Sequence, residues 1–279
     1  MPLFNQISII GVGLIGGSLA KSIKRKKLCN KIVGFFRNKT KLNKAVKDRI
    51  VDEASLDLRK SIKNSDLIIL ALPISQIINF LSQIKKISKD KKVIIMDAGS
   101  TKLKITQAAD KLKLDFVGTH PLAGSEKKGA GFSYANLFDN SKVIITPTNK
   151  TKKGSLNKIK LFWKKLNADV IVLSAAEHDK ILSYTSHLAH IASFCLIDTV
   201  PDKFLNFGAS GLKDTTRIAL SDAEIWSDIF LSNKKEVLKS LSAFEQKIKR
   251  IKKTITKNQK KQLIKILDTA KNKRRIMGQ

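Results

Sequence analysis

Two of the four histidines in this 279-residue chain, His187 and His190, stand three residues apart in SYTSHLAHIASF, inside an otherwise apolar helical pattern. At that spacing they share a helix face. A metal ion would need a third ligand, and His178 lies about two and a half turns before His187, too far for one ion. On the residues alone two uses remain: contact with a ligand, or ordinary core packing. A further histidine, His120, ends the strand-like run LDFVGTH. Open α/β sheets hold ligands at the carboxyl ends of their strands, and a neutral imidazole there can act as a base near pH 7. The alternative for His120 is a packed loop histidine. Ser100, in DAGS after another strand-like run, is placed either to hydrogen-bond such a base or to cap a helix beginning near Thr101. Arg217, in DTTRIA, offers a planar fork to a carboxylate, or a salt bridge to Asp214 three residues earlier. Trp226 either covers such a pocket or packs in a core.

A second constellation precedes these. GVGLIGGSLA sets Gly11, Gly13 and Gly16 in G-x-G-x-x-G between an apolar strand and a helix. In that context the glycines provide a tight turn, close approach to a pyrophosphate and close helix-to-strand packing, with the helix N-terminus facing the anion. Leu14 and Ile15 within the loop, and Pro73 closing the strand-like SDLIILALP, join the expected cofactor contacts. NAD sites usually carry an acidic residue about 20 positions on. Here that place holds Phe36, followed by Arg37 with Lys39 nearby. These cations would suit a 2′-phosphate, which tilts the expected cofactor from NAD toward NADP, although Arg37 could equally stack on adenine.

The elements that must position these residues are legible in the alternation of apolar runs and amphipathic stretches up to about Leu173, the pattern of a mostly parallel sheet. Beyond Leu173 the periodicity is helical throughout. The expected architecture is α/β: a Rossmann-like dinucleotide-binding domain over residues 1–173 and an all-helical domain over 174–279. Hydrophobic residues at 42% and charged residues at 28% are ordinary for a folded chain. The net charge of +31 would ordinarily suggest an anionic partner. The lysines, however, are spread over nearly every helix and aromatics are only 6%, so no specific nucleic-acid partner is expected. Cys29 and Cys195 have no metal or redox spacing, the N-terminus lacks a basic leader region, and no run has the length of a membrane span. A cytoplasmic location is the expectation.

Taken together, GVGLIGGSLA, DAGSTK (97–102), GTHPLAGSEKKG (118–129), EHDKILSYTSHLAH (177–190) and LKDTTRIALSDAEIW (212–226) resemble, in order, the prephenate/arogenate dehydrogenase family of tyrosine biosynthesis. The resemblance implies NAD(P)-dependent oxidative decarboxylation of prephenate to 4-hydroxyphenylpyruvate, or of arogenate to tyrosine. It also implies His120 as the base with Ser100 assisting, substrate contacts from His187, His190 and Arg217, and a pocket lined by Ser125 and Glu126. The helical domain would dimerise. One departure is Ala189, where the family commonly has proline in His-Leu-Pro-His; alanine continues a helix that proline would kink. A β-hydroxyacid dehydrogenase, the more distant alternative, would want a catalytic lysine on the first long helix of the helical domain, where Lys180 is the only interior one.

Overall fold

The structure, a computed structural model, describes residues 1–88, 93–124 and 129–278. Its contacts form two compact units, Met1–Asn233 and Lys234–Gln279.

The first unit opens with β1 (Phe4–Ile10), α1 (Leu14–Arg25), β2 (Cys29–Phe35) and α2 (Lys39–Lys47), followed by β3 (Glu53–Ser55), α3 (Leu58–Ile62), β4 (Leu67–Leu70) and α4 (Ile74–Ile87). It continues through β5 (Ile94–Asp97), α5 (Leu103–Lys111), β6 (Phe116–Pro121), β7 (Lys142–Pro147), α6 (Lys153–Lys165) and β8 (Asp169–Val172). The eight strands form one sheet in the order β3-β2-β1-β4-β5-β6-β7-β8. All neighbours are parallel except β6 and β7. A parallel return needs a crossover, usually helical. The connection from Pro121 to Lys142 has only the 3-10 turn Ala130–Phe132 among its described residues, and β7 comes back antiparallel.

Alternate residues of each strand feed separate cores, as the period of two requires. Leu67 and Ile69 join Leu19, Ile23, Phe162 and Trp163 on one face; Ile68 and Leu70 join Ile77, Leu81 and Ile105 on the other. With both faces covered, the strands tolerate no polar alternation, which is why they read as continuous apolar runs.

After β8 come α7 (Ala175–Leu182), a π turn (Ser183–His187) and α8 (Leu188–Asp198) in one continuous rod, then α9 (Ser210–Thr216), a 3-10 turn (Arg217–Leu220) and α10 (Ala223–Ser232). The helix does continue through exposed Ala189; the departure from α geometry lies in the turn just before it. Helix α10 is fastened to the sheet layers. Ile229 enters the second core, and the Asp228 carboxylate accepts from the Ser75 amide at 3.2 Å in the first turn of α4. These contacts carry the compact unit past Leu173, where the strand texture ends, to Asn233. The second unit is a helical pair, α11 (Lys234–Thr256) and α12 (Lys260–Ile276). Among the described residues no helix is long and apolar enough to cross a membrane.

Candidate active site

The three fingerprint glycines have distinct geometric duties. Gly11 has φ +95°, and a Cβ there would lie 2.3 Å from the Ala71 carbonyl oxygen. A Cβ on Gly16 would lie 2.1 Å from the carbonyl oxygen of Gly11. Packing therefore demands both. At Gly13 a Cβ would meet nothing within 4 Å, so this glycine keeps an approach open rather than relieving a contact. Gly13 is also the N-cap of α1, whose first turn, including Leu14 and Ile15, has no side-chain cap and no acidic residue. Uncapped amides at a helix N-terminus suit an anion. Beside the loop lie Ala71 and Leu72, ahead of Pro73, the N-cap of α4. Because β1 and β4 are neighbours where the strand order reverses, the crevice is the switch point of the sheet. These features fit a dinucleotide.

At the end of β2, Phe36 is 7% exposed and belongs to the core, so it offers nothing to a ribose. Arg37 is exposed. Its guanidinium donates to the Gln76 side chain and lies 5.8 Å over the Phe80 ring, which draws it across toward α4.

His120 sits on the last turn of the pleat in β6, paired with Ile144 of β7. Its Nδ1 is 2.8 Å from Nε2 of His178 on α7, and Nδ1 of His178 is 2.8 Å from Oδ1 of Asp179. The same Asp179 carboxylate accepts from the amides of Lys102 at 2.7 Å and Leu103 at 2.9 Å. It is thus a tertiary cap for α5, whose own N-cap, Lys102, supplies no side-chain bond. Ser100 does not cap that helix. Burial is the main force holding His120 well below the ordinary imidazole range, with electrostatic contributions from the titratable neighbours His178, Lys102 and His187 adding to it. His178 is also lowered, chiefly by burial, although its bond to Asp179 opposes the shift. Both rings are neutral at pH 7.

Beneath His120 lies a buried ion pair. The Lys102 side chain is 0% exposed; its ammonium donates to the Asp97 carboxylate and, at 2.9 Å, to the Thr119 carbonyl. Asp97 also accepts from the amides of Gly99 at 2.9 Å and Thr119 at 3.1 Å. The pair ties the carboxyl ends of β5 and β6 together, on either side of Ser100 and His120.

His187 and His190 separate in the fold. His187 is 1% exposed, whereas the sequence suggested a contact with substrate. Its Nδ1 lies 3.3 Å from the Asn233 amide nitrogen, which also donates to the Asp179 carbonyl at 2.8 Å. Burial pushes His187 down to about 4. The π turn and the tertiary partners turn this ring inward, which helical spacing alone does not reveal. His190 is partly exposed and stacked on Trp226, with centroids 3.4 Å apart and planes 22° apart. Its Nδ1 donates to the Ser186 carbonyl at 3.0 Å. Desolvation lowers its pKa, and the Arg217 charge contributes, which sets that guanidinium close by. Arg217 is exposed and opens the 3-10 turn after α9, and among the described residues it makes no ion pair, with Asp214 or any other carboxylate. Trp226 is only partly buried and packs against Phe230 at 5.4 Å. Ser125 and Glu126 lie outside the described residues.

Sequence reasoning missed His178, Asp179 and the Lys102–Asp97 pair. The adjacent histidine and aspartate in AAEHDK were the available sign, but their partners are 58 and 77 residues away.

Comparisons with known proteins bear on this site. The family description "Prephenate dehydrogenase, nucleotide-binding domain" matches residues 19–172, and "Prephenate dehydrogenase, dimerization domain" matches residues 174–269. A prephenate dehydrogenase of Bacillus subtilis is 31% identical over 97% of this chain and 75% of its own. The crystal structure of prephenate dehydrogenase from A. aeolicus, in complex with hydroxyphenyl propionate and NAD+, superposes with a TM-score of 0.91 at 35% identity, covering 98% of both chains. Synechocystis arogenate dehydrogenase superposes with a TM-score of 0.84 at 28% identity, covering 98% of this chain and 99% of its own.

Proposed function

The chain belongs to the prephenate dehydrogenase family, and on that premise we propose that it catalyses the NAD(P)-dependent oxidative decarboxylation of prephenate to 4-hydroxyphenylpyruvate. The observation that carries this reading is His120, neutral and oriented through Nδ1 at the carboxyl end of β6, on the edge of the sheet that also holds the glycine loop. Bound dinucleotide supplies the hydride acceptor. Gly13 and the first-turn amides of α1, at Leu14 and Ile15, receive its pyrophosphate, with Gly11 and Gly16 shaping the loop and Pro73 bordering it. Arg37 is the adenosine-side contact, and its exposed guanidinium supports use of NADP as well as NAD.

His120 removes the proton of the substrate's 4-hydroxyl through Nε2, with Ser100 a second hydrogen-bonding group for that hydroxyl. The developing alkoxide makes the hydride at C4 a better leaving group. As hydride departs, the ring carboxylate leaves as CO2 and its bonding pair completes the aromatic ring. Arg217 binds a substrate carboxylate through its fork. His190 walls the pocket next to it, held flat by Trp226.

The catalytic division of the chain falls at residues 173 and 174, with the C-terminal part forming a homodimer of a cytoplasmic enzyme. Exposed apolar side chains on α11 and α12, including Leu238, Ile248, Ile255, Ile264 and Leu267, support that association. Steady-state reduction of NAD and NADP with prephenate and with arogenate tests the assignment. Turnover with prephenate is expected; turnover with arogenate alone would transfer the assignment to that substrate, and reduction with neither would refute it. His120→Asn should cut kcat by about 10²–10⁴-fold while KM stays within a few-fold.

A further inference from the structure

A base must present its lone pair on the right nitrogen, and His120 is not free to choose. Asp179 accepts two main-chain amides, and a main-chain N–H can only donate. Its carboxylate, 2% exposed, is therefore an acceptor on both oxygens, and the His178 Nδ1 beside Oδ1 must carry a proton. In a neutral His178 the other nitrogen, Nε2, is then an acceptor. It faces His120 Nδ1 at 2.8 Å, so the His120 proton sits on Nδ1 and the lone pair on Nε2.

We propose that His178 and Asp179 are positioning residues that fix the tautomer of His120 and stabilise the imidazolium it becomes, through the chain Asp179–His178–His120. This rests on His120 being the base. The balance is simple: the substrate proton arrives on His120 Nε2, the Nδ1 proton remains donated to His178 Nε2, and the Asp179 carboxylate offsets the new positive charge through the intervening ring. The start of α5 is the anchor, because its first amides hold the carboxylate in place. Among the described residues, the ionisable groups facing His120 are His178 and Asp179 from α7, Lys102 before α5 with Asp97 of β5 behind it, and His187 from the π turn. Lys102 is neutralised by Asp97, which leaves Asp179 as the negative group aligned with the histidine pair. Neither residue has another catalytic duty in the proposed reaction.

Asp179→Asn removes the charge and keeps the shape. An asparagine oxygen in the place of Oδ1 still accepts from the Lys102 amide and from His178 Nδ1, so both ring tautomers are kept while the negative charge behind them is lost. The expected result is a fall in kcat of about tenfold or more with KM for substrate and cofactor within a few-fold. In long-range 1H–15N spectra of the histidine-labelled enzyme, free of substrate, the His120 proton should be on Nδ1 in both the wild type and the variant; four histidines make assignment tractable. His178→Gln and His178→Phe carry the test if Asp179→Asn fails to fold. Glutamine can accept from His120 Nδ1 and should retain at least about ten times the kcat of the phenylalanine variant. Wild-type kcat in Asp179→Asn or in His178→Phe, or an Nε2 proton on His120 in the wild type, would overturn the relay. Full turnover in His120→Asn would instead overturn the base assignment, while the spectra would still report the relay geometry on their own.

Discussion

Replacing Asp97 with asparagine would leave the ammonium of Lys102, whose side chain is 0% exposed, facing a neutral amide and the Thr119 carbonyl. Breaking a buried pair by removing one charge costs about 3–5 kcal/mol, because the remaining ion has no water to return to. That is a large share of the 5–15 kcal/mol, roughly, by which such folds are stable. The converse change is milder. Lys102→Met leaves the Asp97 carboxylate with the Gly99 and Thr119 amides at 2.9 and 3.1 Å, so about 1–3 kcal/mol is expected. In Asp97→Asn/Lys102→Met no charge is stranded, and the double variant should lose less than the sum of the singles by at least about 1 kcal/mol. Urea unfolding followed by tryptophan fluorescence at one fixed protein concentration measures all three. A loss below about 1 kcal/mol for Asp97→Asn, or strict additivity in the double variant, would refute the reading of this pair as a closed electrostatic unit.

Stability should fall in acid partly through His187. Its pKa is about 4 in the fold against 6.5 for the free ring, so between these values the unfolded chain binds the proton first. Its contribution is complete above pH 6.5, declines as the pH falls, and is gone below about 4, at a total of about 3 kcal/mol. Urea midpoints from pH 7 to 4 should therefore decline less steeply in His187→Gln; equal slopes would contradict this. Gly13→Ala should fold with an unchanged melting temperature yet raise the KM for the dinucleotide about tenfold or more, whereas Gly16→Ala should lose folded protein, since its Cβ would lie 2.1 Å from a main-chain oxygen. Thermal melts and cofactor titrations distinguish the two. Arg217→Ala should raise substrate KM by about 10²-fold and leave cofactor KM alone, as loss of a charged carboxylate clamp requires.

The main strands were visible in the sequence because burial on both faces leaves long apolar runs such as LIIL and VIIT. β3 was not: three residues, Glu-Ala-Ser, carry no such run, and only pairing with β2 makes them a strand. The steric duties of Gly11 and Gly16 in the loop were legible, since a fingerprint next to a strand encodes a tight turn and close packing. His120 and Arg217 could be nominated from type and place. The state of His120 could not, because it depends on a buried chain closed by contacts from far along the sequence. Lys102 shows the same limit in reverse, a lysine after a strand that spacing would send to solvent and that a carboxylate five residues away keeps inside.

Counted at about 100° per residue, an unbroken α-helix would set His190 almost in line with Asp179 and carry His187 well to one side. The π turn at Ser183–His187 inserts a lag of about one residue, and the order reverses. His187 falls into the buried line behind Asp179 and Ser183, and His190 is carried to the margin beside Trp226. The main chain, rather than either side chain, thus decides which histidine of the pair meets solvent. Two chains with the same histidine spacing but one residue more or less in that turn would exchange the duties of their histidines, a difference that matching the letters alone would not register.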